Sequence, residues 1–180
     1  EEELHQLLLP DICDLSITPP SSVQTNFVSY FVPDFVKLGH DQYVYRHAIG
    51  YYFNSFVVCL APTHVAFTDA GGITAVDFNV GKSDRSGIKV TGKRKKNAQH
   101  FESDTAPCKV CTQSDSYIVR CCVKGSLLEV NDRLIKHSKF AELFNREGYI
   151  AIIMPKPADW LKVKASLLGL EEYKKLRENS

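Results

Sequence analysis

No apolar run in this sequence approaches the ~20 residues that a membrane-spanning helix needs, so no transmembrane helix is expected. An excess of charge of one sign is also missing. The formal net charge is +1, which removes any global electrostatic case for nucleic acid or an acidic membrane as partner. Cysteine is sparse: Cys13, Cys59, Cys108, Cys111, Cys121 and Cys122 are six in 180 residues, too few for a disulfide scaffold. They read as reduced thiols of an intracellular protein, partly buried as small hydrophobes. The acidic start Glu1-Glu2-Glu3, ahead of Leu7-Leu8-Leu9, has the wrong charge for a secretory signal. There is no P-loop G-x-x-x-x-G-K-[S/T], no G-x-G-x-x-G, no H-E-x-x-H and no G-x-S-x-G. His5, His40, His47, His64, His100 and His137 are scattered, and His47 and His64 read as structural or surface residues. No internal repeat or low-complexity tract interrupts the chain.

What is present suits a folded, mainly β domain. Hydrophobic residues make up 44% and charged residues 24%, ordinary values for a globular protein, and 180 residues suffice for one core with appendages. Residues 1–26 read as an appendage, because Pro19-Pro20 within Thr18–Ser22 prevents helix and central strand. Asn26–Lys37 reads either as a short helix ending near Val32-Pro33 or as an extended segment packed on the core. Tyr43–Ala61 and Ile73–Val80 are rich in aromatic and β-branched residues and predict strands. Pro107–Thr112 and Tyr117–Val123 predict two strands around the polar turn Gln113-Ser114-Asp115-Ser116. Ser138 is a candidate cap for a short helix carrying Phe140, Leu143 and Phe144. From Ala158 to Glu178 the spacing of Trp160, Leu161, Val163, Leu167, Leu168, Leu170, Tyr173 and Leu176 predicts an amphipathic helix, weakened or divided at Gly169.

Tyr117–Lys156 is the most informative stretch. The apolar runs Tyr117–Val123 and Ser126–Val130 are separated only by Lys124-Gly125, and a third run, Tyr149–Met154, follows Gly148. Strand, sharp turn, strand, polar excursion, strand is a small-barrel pattern. Gly125 is expected to supply a positive φ at the strand junction, and Asn131 to occupy the left-handed region after its strand.

Two clusters invite a site. Cys108-x-x-Cys111, with Cys121 or Cys122 and His100 or His137, resembles half a zinc site, which needs four converging thiolate or imidazole ligands. Adjacent cysteines are not a spaced pair, and on a strand Cys108 and Cys111 face opposite sides, so ordinary sheet cysteines are the better reading. Lys93-Arg94-Lys95-Lys96, flanked by Lys82, Arg85 and Lys89, is a candidate nuclear-import signal. One basic cluster in a near-neutral chain is not a nucleic-acid footprint.

The segments VKGSLLEVNDRL and REGYIAIIMPK resemble the lipoyl/biotinyl carrier fold, above all the glycine-cleavage H-protein, at Gly125, Glu129-Val130-Asn131 and Gly148-Tyr149. The resemblance implies an H-protein-like barrel-sandwich over 27–156, with flanking short helices and residues 157–180 as a C-terminal helix packed on it. In such carriers a lysine at a hairpin tip holds the swinging cofactor. The corresponding turn here, 113–116, has no lysine, while Lys109 and Lys124 flank the hairpin as atypical alternatives. The phrases VSYF, RHAIGYYFNSFVVCLAPTH, VTGKRKKNAQ, APCKVC, VKGSLLEVN, EGYIAIIMPK and SLLGLEEY, in that order, are similar to the Abitram (Simiate) family. That similarity implies a non-enzymatic, non-lipoylated actin-binding protein that affects actin polymerisation and filopodia. It also implies a nuclear, transcription-linked role, location in nucleus and cytoplasm, and no cofactor.

Overall fold

The structure, a computed structural model, describes residues 27–33, 55–90, 92, 98–136 and 148–178, and the backbone of 42–47. Among the described residues three antiparallel sheets form. The largest contains β1 (Phe27–Val32), β2 (Gln42–His47), β3 (Phe56–Leu60), β7 (His100–Phe101), β10 (Gly125–Val130) and β11 (Ala151–Met154), in the order β1-β2-β3-β11-β10-β7. The second is β4 (Ile73–Asp77), β8 (Cys108–Thr112) and β9 (Ser116–Val119), and β5 (Asn79–Val80) pairs with β6 (Ser83–Asp84). Within Asn26–Lys37, Phe27–Val32 is therefore strand, the extended alternative, and residues 34–37 lie outside the described residues. The short helix expected after Ser138 lies outside the described residues; a short helix α1 (Arg133–Lys136) precedes that stretch.

Strand alternation builds the core. Phe56, Val58 and Leu60 of β3 point inward, as do Cys108, Val110 and Thr112 of β8 and Tyr117 and Val119 of β9. All of these except the polar Thr112 meet Phe101, Leu127 and Ile153 from the large sheet in one cluster. A side-chain period of 2 puts every second residue on the same face, which is why these short runs suffice.

The sharp turn expected at Lys124-Gly125 is a crossing between sheets. β9 ends at Val119 and pairs with β8, whereas β10 pairs with β11 and β7. In between, Cys121 N–H donates to Thr105 O at 2.9 Å and Cys122 N–H to Ser103 O at 2.8 Å. Tyr117–Val123 is thus a strand only to Val119. The positive φ expected at Gly125 falls instead on Cys122, at 62°. Gly125 serves a different need: a Cβ there would sit 2.6 Å from Met154 O and 2.8 Å from Ile153 Cγ2. Its missing side chain lets β10 close on β11.

A register shift between Leu127 and Glu129 bulges β10, so Leu127 and Leu128 are both buried. Asn131, the end of that strand, has no left-handed backbone among the described residues; its side chain is what is used. It is buried, donates Nδ2–H to Tyr149 O at 2.9 Å, and accepts from Arg133 N–H at 3.3 Å at the start of α1.

The C-terminal helix is two helices, α2 (Trp160–Ala165) and α3 (Leu170–Glu178). Between them Leu168 exchanges backbone hydrogen bonds with Phe31 at 2.9 and 3.0 Å. Tyr173 of α3 stacks on Phe31, with centroids 4.3 Å apart, and its hydroxyl lies 2.6 Å from Thr63 Oγ1. Gly169 N–H donates to Glu172 Oε2 at 2.9 Å, closing the first turn of α3. The break near Gly169 therefore lets the tail add to the sheet edge and then cover it.

Gly125→Ala is expected to lower unfolding free energy by about 1–3 kcal/mol, since the added carbon meets backbone that cannot yield. Gly169→Ala, whose Cβ would find only Glu172 Oε2 at 3.6 Å, should change it by no more than about 0.5 kcal/mol. Urea unfolding of the two variants checks both, and equal stabilities would contradict the packing role of Gly125.

Candidate functional site

The hairpin joining β8 to β9 carries the turn at 113–116 that the sequence singled out. Thr112 N–H donates to Asp115 O at 2.8 Å, and Asp115 N–H donates to Thr112 Oγ1 at 3.0 Å, so the loop is tight. Gln113, Ser114, Asp115 and Ser116 are exposed at its end. The tip is fastened to a neighbouring turn. Asp69 Oδ2 accepts from Ser114 Oγ at 2.5 Å and also from Thr112 Oγ1. Gly71, at φ 90°, leaves room for Gln113: a Cβ there would lie 2.9 Å from Gln113 Oε1. The hydrogen bonds from Ser114 and Thr112 hold the Asp69 carboxyl below its ordinary range.

Neither flanking lysine stands at the tip. Lys109 Nζ is 3.0 Å from Asp77 Oδ2 on the adjacent strand, and Lys124 Nζ is 2.8 Å from Glu102 Oε1. The hydrogen bond and charge of each carboxylate raise the pKa of its lysine, which lowers the fraction of free amine able to attack an activated acyl group. No side chain on this hairpin combines a free amine with the tip position.

The cysteines are distributed rather than gathered. Cys108 and Cys121 are buried, Cys111 lies half-buried on the opposite face of β8, and Cys122 is half-buried in the crossing. Burial raises the thiols of Cys108 and Cys121 and pushes Cys122 up to about 12, away from the thiolate that binds metal. Among the described residues no group of three or more His, Cys, Asp or Glu could hold a metal ion. His100 is exposed on β7, and His137 lies outside the described residues.

Lys93, Arg94, Lys95 and Lys96 also lie outside the described residues. Their expected basic flank does not hold together. Arg85 is buried, donates Nη1–H to Val80 O at 2.6 Å, and places its guanidinium 5.1 Å from the centre of the Phe101 ring. Lys89 pairs with Glu129 at 3.3 Å, and only Lys82 of the three is exposed without such a partner among the described residues. His64 is structural, buried with Nδ1 accepting from Ala66 N–H at 3.1 Å.

The architecture and the chain's relatives agree. The sequence is 32% identical to Protein Abitram of Drosophila melanogaster over 167 residues, which covers 91% of this chain and 77% of that one. The chain belongs to the Abitram family. Protein Abitram of Homo sapiens is 32% identical over 162 residues, 87% of each chain, and that of Dictyostelium discoideum is 31% identical over 144 residues, 78% of this chain and 77% of that one. No family model matches the sequence. Among solved structures, a glycine cleavage system H protein from Mycobacterium marinum superposes with a TM-score of 0.50 at 13% identity, covering 83% of this chain and 96% of that one. That similarity supports an H-protein-like fold.

The sequence did not single out Asp69, because its partners Thr112 and Ser114 are more than forty positions away. The sign of the Asp69 shift sets a pH test. Its ionised form contributes to tip order above the ordinary aspartate pKa, and that contribution is lost as pH falls through the lowered value in the folded protein. Amide exchange at residues 113–116 should be slow near neutral pH and, after correction for intrinsic rates, faster in acid. Asp69→Ala should make it fast throughout. An Asp69→Ala profile matching wild type would remove the tether.

Proposed function

We propose that this chain is a non-enzymatic binding or adaptor protein on a carrier-type barrel, with actin as the partner implied by its family resemblance. The observation that carries the reading is the hairpin tip. A swinging-arm carrier needs an amine at a tip that can present it, and here the tip offers Gln113 and Ser114, with Ser114 tied to Asp69. Such a scaffold acts through its surface. The family resemblance adds an effect on actin polymerisation and filopodia, a presence in both nucleus and cytoplasm, and a link to transcription.

Co-sedimentation with filamentous actin at physiological salt tests the actin reading directly. The pure, folded chain should pellet with filaments in a saturable manner, and its retention in the supernatant across a range of actin concentrations would sink that reading.

The nuclear part rests on Lys93-Arg94-Lys95-Lys96. Replacing all four with alanine should lower the nuclear-to-cytoplasmic ratio of a fusion too large to diffuse through nuclear pores. An unchanged ratio would leave this cluster without an import role.

A further inference from the structure

The C-terminal end of the fold presents a second surface that the carrier comparison does not account for. Helix α2 is fixed from beneath. Trp160 packs 5.2 Å from Phe56 and edge-on to Tyr30 at 6.0 Å, measured between ring centres, and Val163, one turn on, packs against the same core. With that face held, Leu161 is turned to solvent and is 77% exposed, more than any other large hydrophobic residue among those described.

Its setting is basic. Lys156, just before the helix, and Lys162 and Lys164 within it are exposed. Elsewhere Lys89, Lys109, Lys124 and Lys174 each meet a carboxylate within 3.3 Å. Lys156, Lys162 and Lys164 have no ion-pair partner among the described residues. The nearby acid Asp159 lies close enough to Lys124 to affect it, and Lys124 already holds Glu102.

A lone exposed leucine is ordinary in a soluble protein. A leucine held outward by a tryptophan anchor, on a segment whose three exposed lysines have no ion-pair partner among the described residues, combines one apolar knob with positive charge. We propose that this face of α2 is a docking surface for an acidic protein segment that also carries an apolar side chain. The charge selects the partner's sign and speeds encounter, and Leu161 supplies the water-excluding contact. The proposal rests on the reading of the chain as a binding protein, but it does not require that the partner be actin.

The test uses the full chain and a fluorescein-labelled synthetic peptide of glutamate and aspartate interspersed with leucine, read by anisotropy. Binding should weaken as salt is raised from about 0.05 to 0.5 M, because exposed charges are screened. The variant Lys156→Glu/Lys162→Glu/Lys164→Glu should bind about tenfold or more weakly while keeping the wild-type melting temperature, since the three side chains are exposed. Leu161→Ser should weaken binding without abolishing its salt dependence. Failure of wild type to bind the peptide would overturn the proposal. So would equal binding by the triple variant, or binding to phosphatidylserine vesicles with none to the peptide.

Filamentous actin run in parallel separates the two readings. Peptide binding without actin binding removes actin and leaves the docking surface. Actin binding undiminished in a triple variant that also retains peptide binding leaves actin and removes the surface.

Discussion

β10 lies against β11 because position 125 has no side chain. Met154 O occupies the space that any Cβ there would need. Much of the large sheet follows from that approach. It sets the pairing of Ser126 with Met154, from which the bulge buries both Leu127 and Leu128. It brings Asn131 to the start of β11, where its amide reaches Tyr149 and its backbone N–H donates to Ile150 O at 3.0 Å. Glu129, between them, accepts from the Tyr149 hydroxyl at 2.9 Å and faces Lys89. Burial, helped by the adjacent carboxylate, pushes Tyr149 up to about 12, so the phenol stays a donor well into alkaline pH. β11 in turn pairs with β3, which carries Phe56 beneath Trp160.

The same frame separates the packing of the barrel from what its hairpin carries. The barrel needs the Gly125 approach and the Glu-Val-Asn step for its packing, whatever the hairpin carries. The hairpin belongs to the other sheet, and its tip touches the rest of the protein through Asp69 and Gly71. A side chain at that tip can vary without disturbing the core, and Ser114 is short enough to be gathered in by the Asp69 carboxylate.

Much of the fold was legible because its signals are local. The alternation in FVVCL and CKVCT and the turn at 113–116 survive as β3, β8 and the β8–β9 hairpin. The glycine and asparagine of VKGSLLEVN were picked out correctly but given the wrong jobs. Sequence offers turn chemistry as the usual reason for Gly and Asn, whereas here one answers to a strand far along the chain and the other to a carbonyl eighteen positions away. For the same reason Tyr117–Val123 read as one strand: nothing in its apolar residues records that Cys121 and Cys122 bond to 103–105 instead of continuing the ladder. Arg85 shows the converse, a charged residue that spacing assigns to a surface patch and that the fold buries against Phe101. The tethered tip was half legible. Its missing lysine is plain in the sequence, but its partner Asp69 is not.

The pairing of Phe31 with Leu168 joins the first described strand to the tail behind the last one. Contacts between such distant parts of a chain form late, because loop-closure entropy must be met before they contribute. During synthesis β1 can find β2 early, but the contacts of Phe31 with Leu168 and Tyr173 wait until those residues have left the ribosome. Completion of the fold is thereby coupled to completion of this part of the chain. A product broken off before Leu168 keeps the described strands yet lacks both contacts at Phe31.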